Sequence, residues 1–305
     1  MTRIAFQGPG GGLSRPRRRA APKSVEDGPA ERDRLTEVHR WSVGDVDIVR
    51  VEDLDFAVPS DRPVPDWCVP NFAPSADEVG IAFSALALRS DGVRIVVDPW
   101  LANDGPRDQA GAQEHSERLL GELSDAGFPP DDVDIVVNTH LDGLGWNTRP
   151  AVDRWVPAFP NARYVYPIGE LAAIRRGEPL YGREAFAILD DYVEIEPIDG
   201  PMALTTSVTL APAPGHNFGH LAVRVESNDR LAIYPGHLVL SPFQIDDPDS
   251  GEDHNPERTT AIDTRRAVLE ELAQRSGLLV TTLLGGPGGG VVQPKDSGFS
   301  LSVLD

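Results

Sequence analysis

The residues whose types and spacing could carry out chemistry are four histidines and one aspartate: His140, Asp142, His216, His220 and His237. Imidazole nitrogen and carboxylate oxygen are zinc ligands, and a catalytic zinc site combines three protein ligands with one position open to water. The set that would suffice by count for one metal ion is His140, Asp142, His216 and His237. A second interpretation stays open, in which these are hydrogen-bonded turn residues, because Asp142 precedes a glycine and this pair is typical of turns.

The other histidines and the cysteine show no such pattern. His39 precedes the first predicted strand, His115 begins a predicted helix and His254 lies in an acidic loop, so we expect surface residues. Cys68 is the only cysteine, which excludes an intrachain disulfide and a cysteine-rich zinc module. We expect Cys68 to be a small core residue.

Three apolar stretches that predict buried strands come shortly before the candidate ligands. They are residues 135–137, 207–210 and 230–234, and each ends in turn residues. Ligands of α/β folds bind beyond the ends of strands, where the chain leaves the core. His140 and His237 each follow one of these stretches within three residues, and His216 follows the third after a proline-rich turn. The pattern therefore predicts that different strand ends bring the histidines together.

The remaining pattern predicts an α/β (α+β) fold. Paired strands are expected at 41–51, around a turn at Gly44, and at 81–97, around a turn at Asp91. Further predicted elements are helices at 115–126, 168–176 and 257–275, strands at 162–166, 221–226 and 278–284, a proline-rich surface loop at 59–78 and a glycine loop at 285–290. Strands come first and then alternate with helices in two halves. This order is typical of an αββα sandwich, in which helices flank two mixed β-sheets.

Composition limits the partners and the compartment. The chain has 305 residues and a formal net charge of −20, which argues against nucleic acid as a partner. Its apolar runs are shorter than the roughly 18 residues that a membrane span needs, so we expect no membrane association and a cytoplasmic protein. Residues 1–34 are rich in glycine and arginine and predict a disordered basic tail, followed by one domain over 35–305. The arginines are not followed by an apolar segment, so we do not expect an export signal.

Several motifs resemble those of metallo-β-lactamase-fold hydrolases. Residues 139–149 resemble the family's Thr-His-x-His-x-Asp-His-x-Gly-Trp-Asn motif, and the next segment is similar to one lactonase-like branch. Three later segments also resemble the family: Pro-Gly-His-Asn-Phe-Gly-His at 214–220, Tyr-Pro-Gly-His at 234–237 and the stretch 240–244. The resemblance extends from about residue 38 to 302 and implies the αββα fold of that family.

The ligands of the family's two-metal site are only partly present. Asp142 and His216 match ligand positions, whereas His140 matches either the first or the second motif histidine, the latter with Asn138 in place of the first. Gly143 replaces the third histidine, and His237 stands where the family has a bridging aspartate. The late histidine after the last strand is missing near residues 283–285. The resemblance therefore implies at most one metal ion, zinc or another divalent cation, or none.

Two functional hypotheses follow. In the first, one ion held by His140, His216 and His237 activates water to hydrolyse a lactone or another ester-like small molecule. Asp142 is either a further ligand of this ion or, instead, the group that orients the water or acts as general base. His220 and Asn138 would support the ligands, and the substrate cleft would be lined by Trp146, Trp100 and Phe243. In the second, the protein is a metal-free pseudoenzyme of the same fold with a non-hydrolytic or binding role.

Overall fold

The computed structural model describes residues 38–99, 109–141, 147–176, 183–217, 219–250 and 258–304. Three of the predicted site residues, Trp100, Asp142 and Trp146, lie outside the described residues. The predicted tail, residues 1–34, also lies outside them, so the predicted domain boundary stays a prediction.

The first half of the chain builds one seven-stranded sheet and a small hairpin. Its strands are β1 (Val38–Val43), β2 (Val46–Pro59), β3 (Glu78–Ser90), β4 (Val93–Val97), β5 (Ile135–Val137), β6 (Thr148–Pro150), β7 (Trp155–Pro157), β8 (Arg163–Pro167) and β9 (Ile195–Ile198). The sheet has the order β1-β2-β3-β4-β5-β8-β9, and β6 pairs only with β7. Pairing is antiparallel up to β4 and parallel from β4 to β9. Parallel pairs need crossover connections. Helices lie in the connections from β4 to β5 and from β8 to β9, and the β6-β7 hairpin lies in the connection from β5 to β8.

The second half builds another seven-stranded sheet. Its strands follow one another in sequence order: β10 (Met202–Ala203), β11 (Val208–Pro212), β12 (Leu221–Ser227), β13 (Arg230–Tyr234), β14 (Leu278–Val280), β15 (Gly289–Pro294) and β16 (Phe299–Ser302). All neighbours pair antiparallel except β13 and β14. That parallel pair is joined through a long helix.

Helices cover the outer faces of both sheets. They are α1 (Gln109–Asp125), α2 (Ile168–Arg176), α3 (Arg183–Tyr192), α4 (Phe243–Asp246) and α5 (Arg258–Gln274). One buried cluster joins α1 and α2 to the first sheet, a second lies between the sheets and a third joins α5 to the second sheet. The predicted αββα sandwich is therefore confirmed. None of the described helices is long and apolar enough to cross a lipid bilayer.

The central strand β5 shows why an apolar, β-branched run becomes a site-bearing strand. Ile135 and Val137 point into the core between the sheets, and Val136 points into the core under the helices. Successive side chains of a strand alternate between its faces, so a strand covered on both sides must be apolar throughout. The first polar residue, Asn138, follows the last residue of the strand and ends the apolar run.

Two predicted loops are more deeply packed than expected. The proline-rich segment 59–78 was predicted as a surface loop, but Val64, Cys68 and Phe72 are buried in the core beneath the second sheet. The glycine segment 285–290 is also largely buried, and its last two residues belong to β15. A Cβ atom at Gly286 would lie 1.8 Å from the carbonyl oxygen of Asn71, so close packing requires glycine there.

Candidate metal centre

Three histidines from three strand ends converge at one end of the sandwich. His140 follows β5, His216 follows β11, and His237 lies in a 3₁₀ turn, Gly236–Leu238, after β13. One ring nitrogen of each histidine lies within 4.8 Å of the other two. It is the one group of three or more histidine, cysteine or acidic side chains so arranged in the described ranges. The sequence predicted this convergence, and the structure places the three side chains together.

The two sheets meet at this centre. His140 follows β5 of the first sheet, whereas His216 and His237 follow β11 and β13 of the second. The backbone N–H of Leu221, at the start of β12, donates to the carbonyl oxygen of Thr139 at 3.0 Å. The histidine rings are in direct contact, with centroids 4.0 Å apart for His140 and His237 and 5.1 Å apart for His216 and His237.

The hydrogen bond to the hydroxyl of Thr139 indicates which ring nitrogen of His140 carries the hydrogen. The hydroxyl donates its single hydrogen to Oδ2 of Asp98 at 2.5 Å, and it lies 2.9 Å from Nδ1 of His140. Because that hydrogen is already used, the hydroxyl accepts from Nδ1–H of the imidazole. The lone pair of the neutral ring then lies on Nε2. Ligand histidines generally have this arrangement, in which one nitrogen donates to a protein group and the other is available to a metal.

Asp98 is a buried carboxylate behind the histidines. It is 3% exposed and also accepts the backbone N–H of Thr139 at 2.7 Å and the hydroxyl of Tyr234 at 2.8 Å. Burial raises the pKa of Asp98, while a positive charge on His140, present when that ring is protonated, and the three hydrogen bonds act in the opposite direction. Asp98 follows β4 directly and precedes a proline, a strand-end signal, but its site role was not predicted from the sequence.

A second buried carboxylate lies on the other side of His140. Glu170, in the first turn of α2, is 3% exposed and accepts the backbone N–H of Leu141. The residues before and after His140 thus each donate a backbone N–H to a buried carboxylate. Sequence analysis missed Glu170, because an acidic residue in the first turn of a helix is ordinary.

His220 and Asn138 contact the loops that carry the candidate ligands. Nδ1 of His220 donates to the carbonyl of Ala213 at 3.0 Å, and its Nε2 accepts the backbone N–H of His237 at 3.2 Å. Both nitrogens thus bond to backbone groups. The amide oxygen of Asn138 accepts from Nδ2 of Asn147 at 3.0 Å, so it connects the two ends of the motif loop. The supporting roles that the sequence predicts for the two residues are compatible with these contacts and stay predictions.

Phe243 is the one cleft residue predicted from the sequence that the structure describes. It begins α4, is partly buried against the core beneath the second sheet, and lies under the guanidinium of Arg62 at 3.9 Å. Its place in a substrate cleft stays a prediction. The same holds for Trp100 and Trp146, and for the catalytic role of Asp142.

The comparisons with known proteins agree with this architecture. The sequence profile of the metallo-beta-lactamase superfamily matches residues 83–281. No curated protein matches the sequence significantly. The fold is similar to AidC, a dizinc quorum-quenching lactonase, with a TM-score of 0.68, 18% identity and coverage of 89% of this chain and 98% of that one. It is also similar to the hydrolase AbOPH of the beta-lactamase superfamily, with a TM-score of 0.67, 17% identity and coverage of 89% and 99%.

A third solved structure, a probable metal-dependent hydrolase from Staphylococcus aureus, has a TM-score of 0.59 and 14% identity, with 80% of this chain and 91% of that one covered. These identities establish a shared fold, whereas the profile match extends over more than half of the sequence. The chain belongs to the metallo-beta-lactamase superfamily.

Proposed function

We propose that the protein is a metal-dependent hydrolase in which His140, His216 and His237 hold a single divalent ion, either zinc or another divalent metal. Its substrate is a lactone or another ester-like small molecule. The observation that carries the proposal is the set of three ring nitrogens within 4.8 Å of one another at the end of the sandwich. The fold that the chain shares with a dizinc lactonase supports the substrate class.

The residues present fit a zinc ion. With zinc–nitrogen bonds of about 2.0–2.1 Å in a tetrahedron, ligand nitrogens lie about 3.4 Å apart, so the rings need only small movements. Three neutral imidazoles leave the charge of a dication uncompensated. The buried carboxyl groups of Asp98 and Glu170 accept the backbone N–H groups of Thr139 and Leu141, the two neighbours of His140 in sequence, and in their ionised forms they would supply compensating negative charge.

A bound ion would act as a Lewis acid that acidifies water and polarises the carbonyl oxygen of the substrate. The histidines would orient the ion, and Thr139 would hold His140 in the ligand tautomer. We assign Asp142, two residues after His140 in the sequence, the role of accepting a proton from the attacking water, since a carboxylate can act as general base.

A single ion is proposed because the groups for a second one are replaced. The bridging aspartate of the family corresponds to His237, and a neutral imidazole lacks the two oxygens with which a carboxylate bridges two metals. Around the position of the missing late histidine, Leu284 is 1% exposed in the core beneath the second sheet. It offers no ligand.

The direct test is the metal content of protein purified without chelator. We expect about one equivalent of zinc or another divalent ion per chain, lost in His216→Ala and retained in His39→Ala. Near-zero content together with no thermal shift on adding zinc would overturn the proposal and favour a metal-free role for the fold. Two equivalents would contradict the single-ion site.

The substrate class is tested with lactone, thioester and phosphoester substrates. We expect hydrolysis of a lactone or ester that is lost on chelation, restored by zinc and absent in His140→Ala. Activity that survives both chelation and His140→Ala would show metal-free chemistry and contradict the mechanism.

A further inference from the structure

Helix α5 contains a fully buried cation that the proposed mechanism does not use. Arg265 is 0% exposed. Its Nε donates to the carbonyl oxygen of Leu238 at 2.6 Å, and its Nη1 donates to the carbonyl oxygen of Pro248 at 3.0 Å. Burying a guanidinium costs free energy unless its N–H groups are hydrogen-bonded, so the carbonyls of Leu238 and Pro248 are held where they offset that cost.

The first of these acceptors belongs to the turn that carries His237. Leu238 is the next residue, and both lie in the 3₁₀ turn Gly236–Leu238, which has no side-chain cap at its N-terminus. Side chains from two other segments of the chain contact this turn. His220 accepts the N–H of His237 on one side, and Arg265 donates to the carbonyl of Leu238 on the other.

The same face of α5 also contacts the loop that carries His216. A Cβ atom at Gly215 would lie 2.3 Å from backbone atoms of Ala261. The hydroxyl of Thr264 lies 2.8 Å from the carbonyl oxygen of Pro214 and 2.9 Å from that of Thr260 in its own helix, so the two carbonyls share its single hydrogen. Residues three and four apart share one face of a helix, so Ala261, Thr264 and Arg265 form one surface. One rigid element thus contacts the loops of two of the three histidines.

We propose that Arg265 is a positioning residue for the metal site, which holds the His237 turn in register with the His216 loop and thereby raises metal affinity. This inference rests on the proposed function, since it needs an ion bound by those histidines. Metal–ligand distances in a bound site lie within about 0.2 Å of their standard values. A hydrogen bond that fixes the carbonyl next to His237 therefore acts on affinity through ligand geometry.

The test compares Arg265→Met, which keeps length and loses the donors, with Arg265→Lys, which keeps the charge and one donating group. Zinc affinity is measured by competition with a chromophoric chelator, and ligand geometry by the visible absorption of the cobalt-substituted protein. We expect zinc to bind at least about tenfold more weakly to Arg265→Met, with a changed cobalt spectrum. Arg265→Lys should lie between this variant and the wild type.

Arg50→Met is the matched control. Arg50 is equally buried and also donates to two main-chain carbonyls, those of Gly286 and Leu284, at 2.7 and 2.9 Å. Its loss should lower stability while zinc affinity stays within about twofold of the wild type and the cobalt spectrum is unchanged.

The inference is overturned if Arg265→Met loses stability as Arg50→Met does but keeps wild-type affinity and spectrum. If Arg265→Met does not fold, Arg265→Lys decides: weaker zinc binding with an altered spectrum supports the positioning role, and unchanged values refute it. Wild-type protein that binds no metal would instead refute the proposed function itself, and this inference with it.

Discussion

The hydroxyl of Thr139 is the smallest group on which the proposed site depends. It lies between the carboxylate of Asp98, to which it donates, and Nδ1 of His140, from which it accepts. We expect Thr139→Val, which keeps the shape and removes the hydroxyl, to weaken zinc binding about 10–100-fold, because the ring loses the acceptor that fixes its tautomer. Chelator competition measures this change.

The loss of that hydroxyl also affects folding. Asp98 would lose one of its three hydrogen bonds in a buried position, which is expected to cost about 1–3 kcal/mol of the free energy of unfolding. Thr139→Ser is the matched control, since it keeps the hydroxyl and should retain most of the affinity. Equal zinc binding by the Val and Ser variants would show that the hydroxyl does not orient His140.

The buried thiol of Cys68 is expected to make the stability of the protein depend on pH. The thiol is 0% exposed, and burial, followed by the charge of Asp246, raises its pKa to about 12. The folded state thus keeps a proton that the unfolded thiol releases above its usual pKa of about 8.5. The stabilisation from Cys68 is present below that pH and is lost as pH rises toward 12.

We expect native protein to be inert to an aromatic disulfide reagent at pH 8 and to react fully in urea. Across pH 9–11, the wild type should lose stability faster than Cys68→Ala by up to about 1.4 kcal/mol per pH unit. Rapid labelling of the folded protein, or parallel stability curves for the two proteins, would contradict a buried neutral thiol.

At the scale of elements, the contact between α5 and the His216 loop depends on one glycine. Gly215 has φ of +126°, and an added Cβ would collide with the backbone of Ala261. We expect Gly215→Ala to displace the loop, lower stability by about 1–3 kcal/mol through backbone strain and reduce zinc affinity at least tenfold. Urea unfolding and chelator competition measure the two effects.

Gly200→Ala is the matched control, because it introduces the backbone strain of a positive φ without displacing a neighbouring segment. Gly200 has φ of +107°, but a Cβ atom there would meet no other atom within 4 Å. Its replacement should cost stability and leave zinc affinity unchanged. If both variants bind zinc like the wild type, the contact with Ala261 does not position His216.

Elements with a local cause could be predicted from the sequence, and contacts between distant segments could not. The run at β5 and the turns at Gly44 and Asp91 are visible because periodicity and turn chemistry act over a few residues. Arg50 donates to Leu284 and Arg265 to Leu238, over separations of 234 and 27 residues. Nothing near either arginine indicates a buried acceptor. For the same reason the sequence indicated the three histidines, each at its own strand end, but not Asp98 and Glu170 behind them.

At the scale of the whole molecule, the candidate metal centre lies where the two layers of the sandwich meet. His140 comes from the first sheet, and His216 and His237 come from the second, so one ion would link both sheets. A ligand that binds only the folded state stabilises it by mass action. Since the donors come from both sheets, that stabilisation applies to unfolding of the whole sandwich rather than to one loop.

We therefore expect zinc at about 100 times its dissociation constant to raise the free energy of unfolding by about 2.7 kcal/mol. The urea midpoint should rise while the slope of the transition stays unchanged, because the same surface is exposed on unfolding. His140→Ala and His216→Ala, from different sheets, should each abolish the shift. The net charge of −20 gives divalent cations a second way to bind, so magnesium at the same ionic strength is the control. A shift that magnesium reproduces, or that persists in either variant, would place the binding on the acidic surface and not at the histidines.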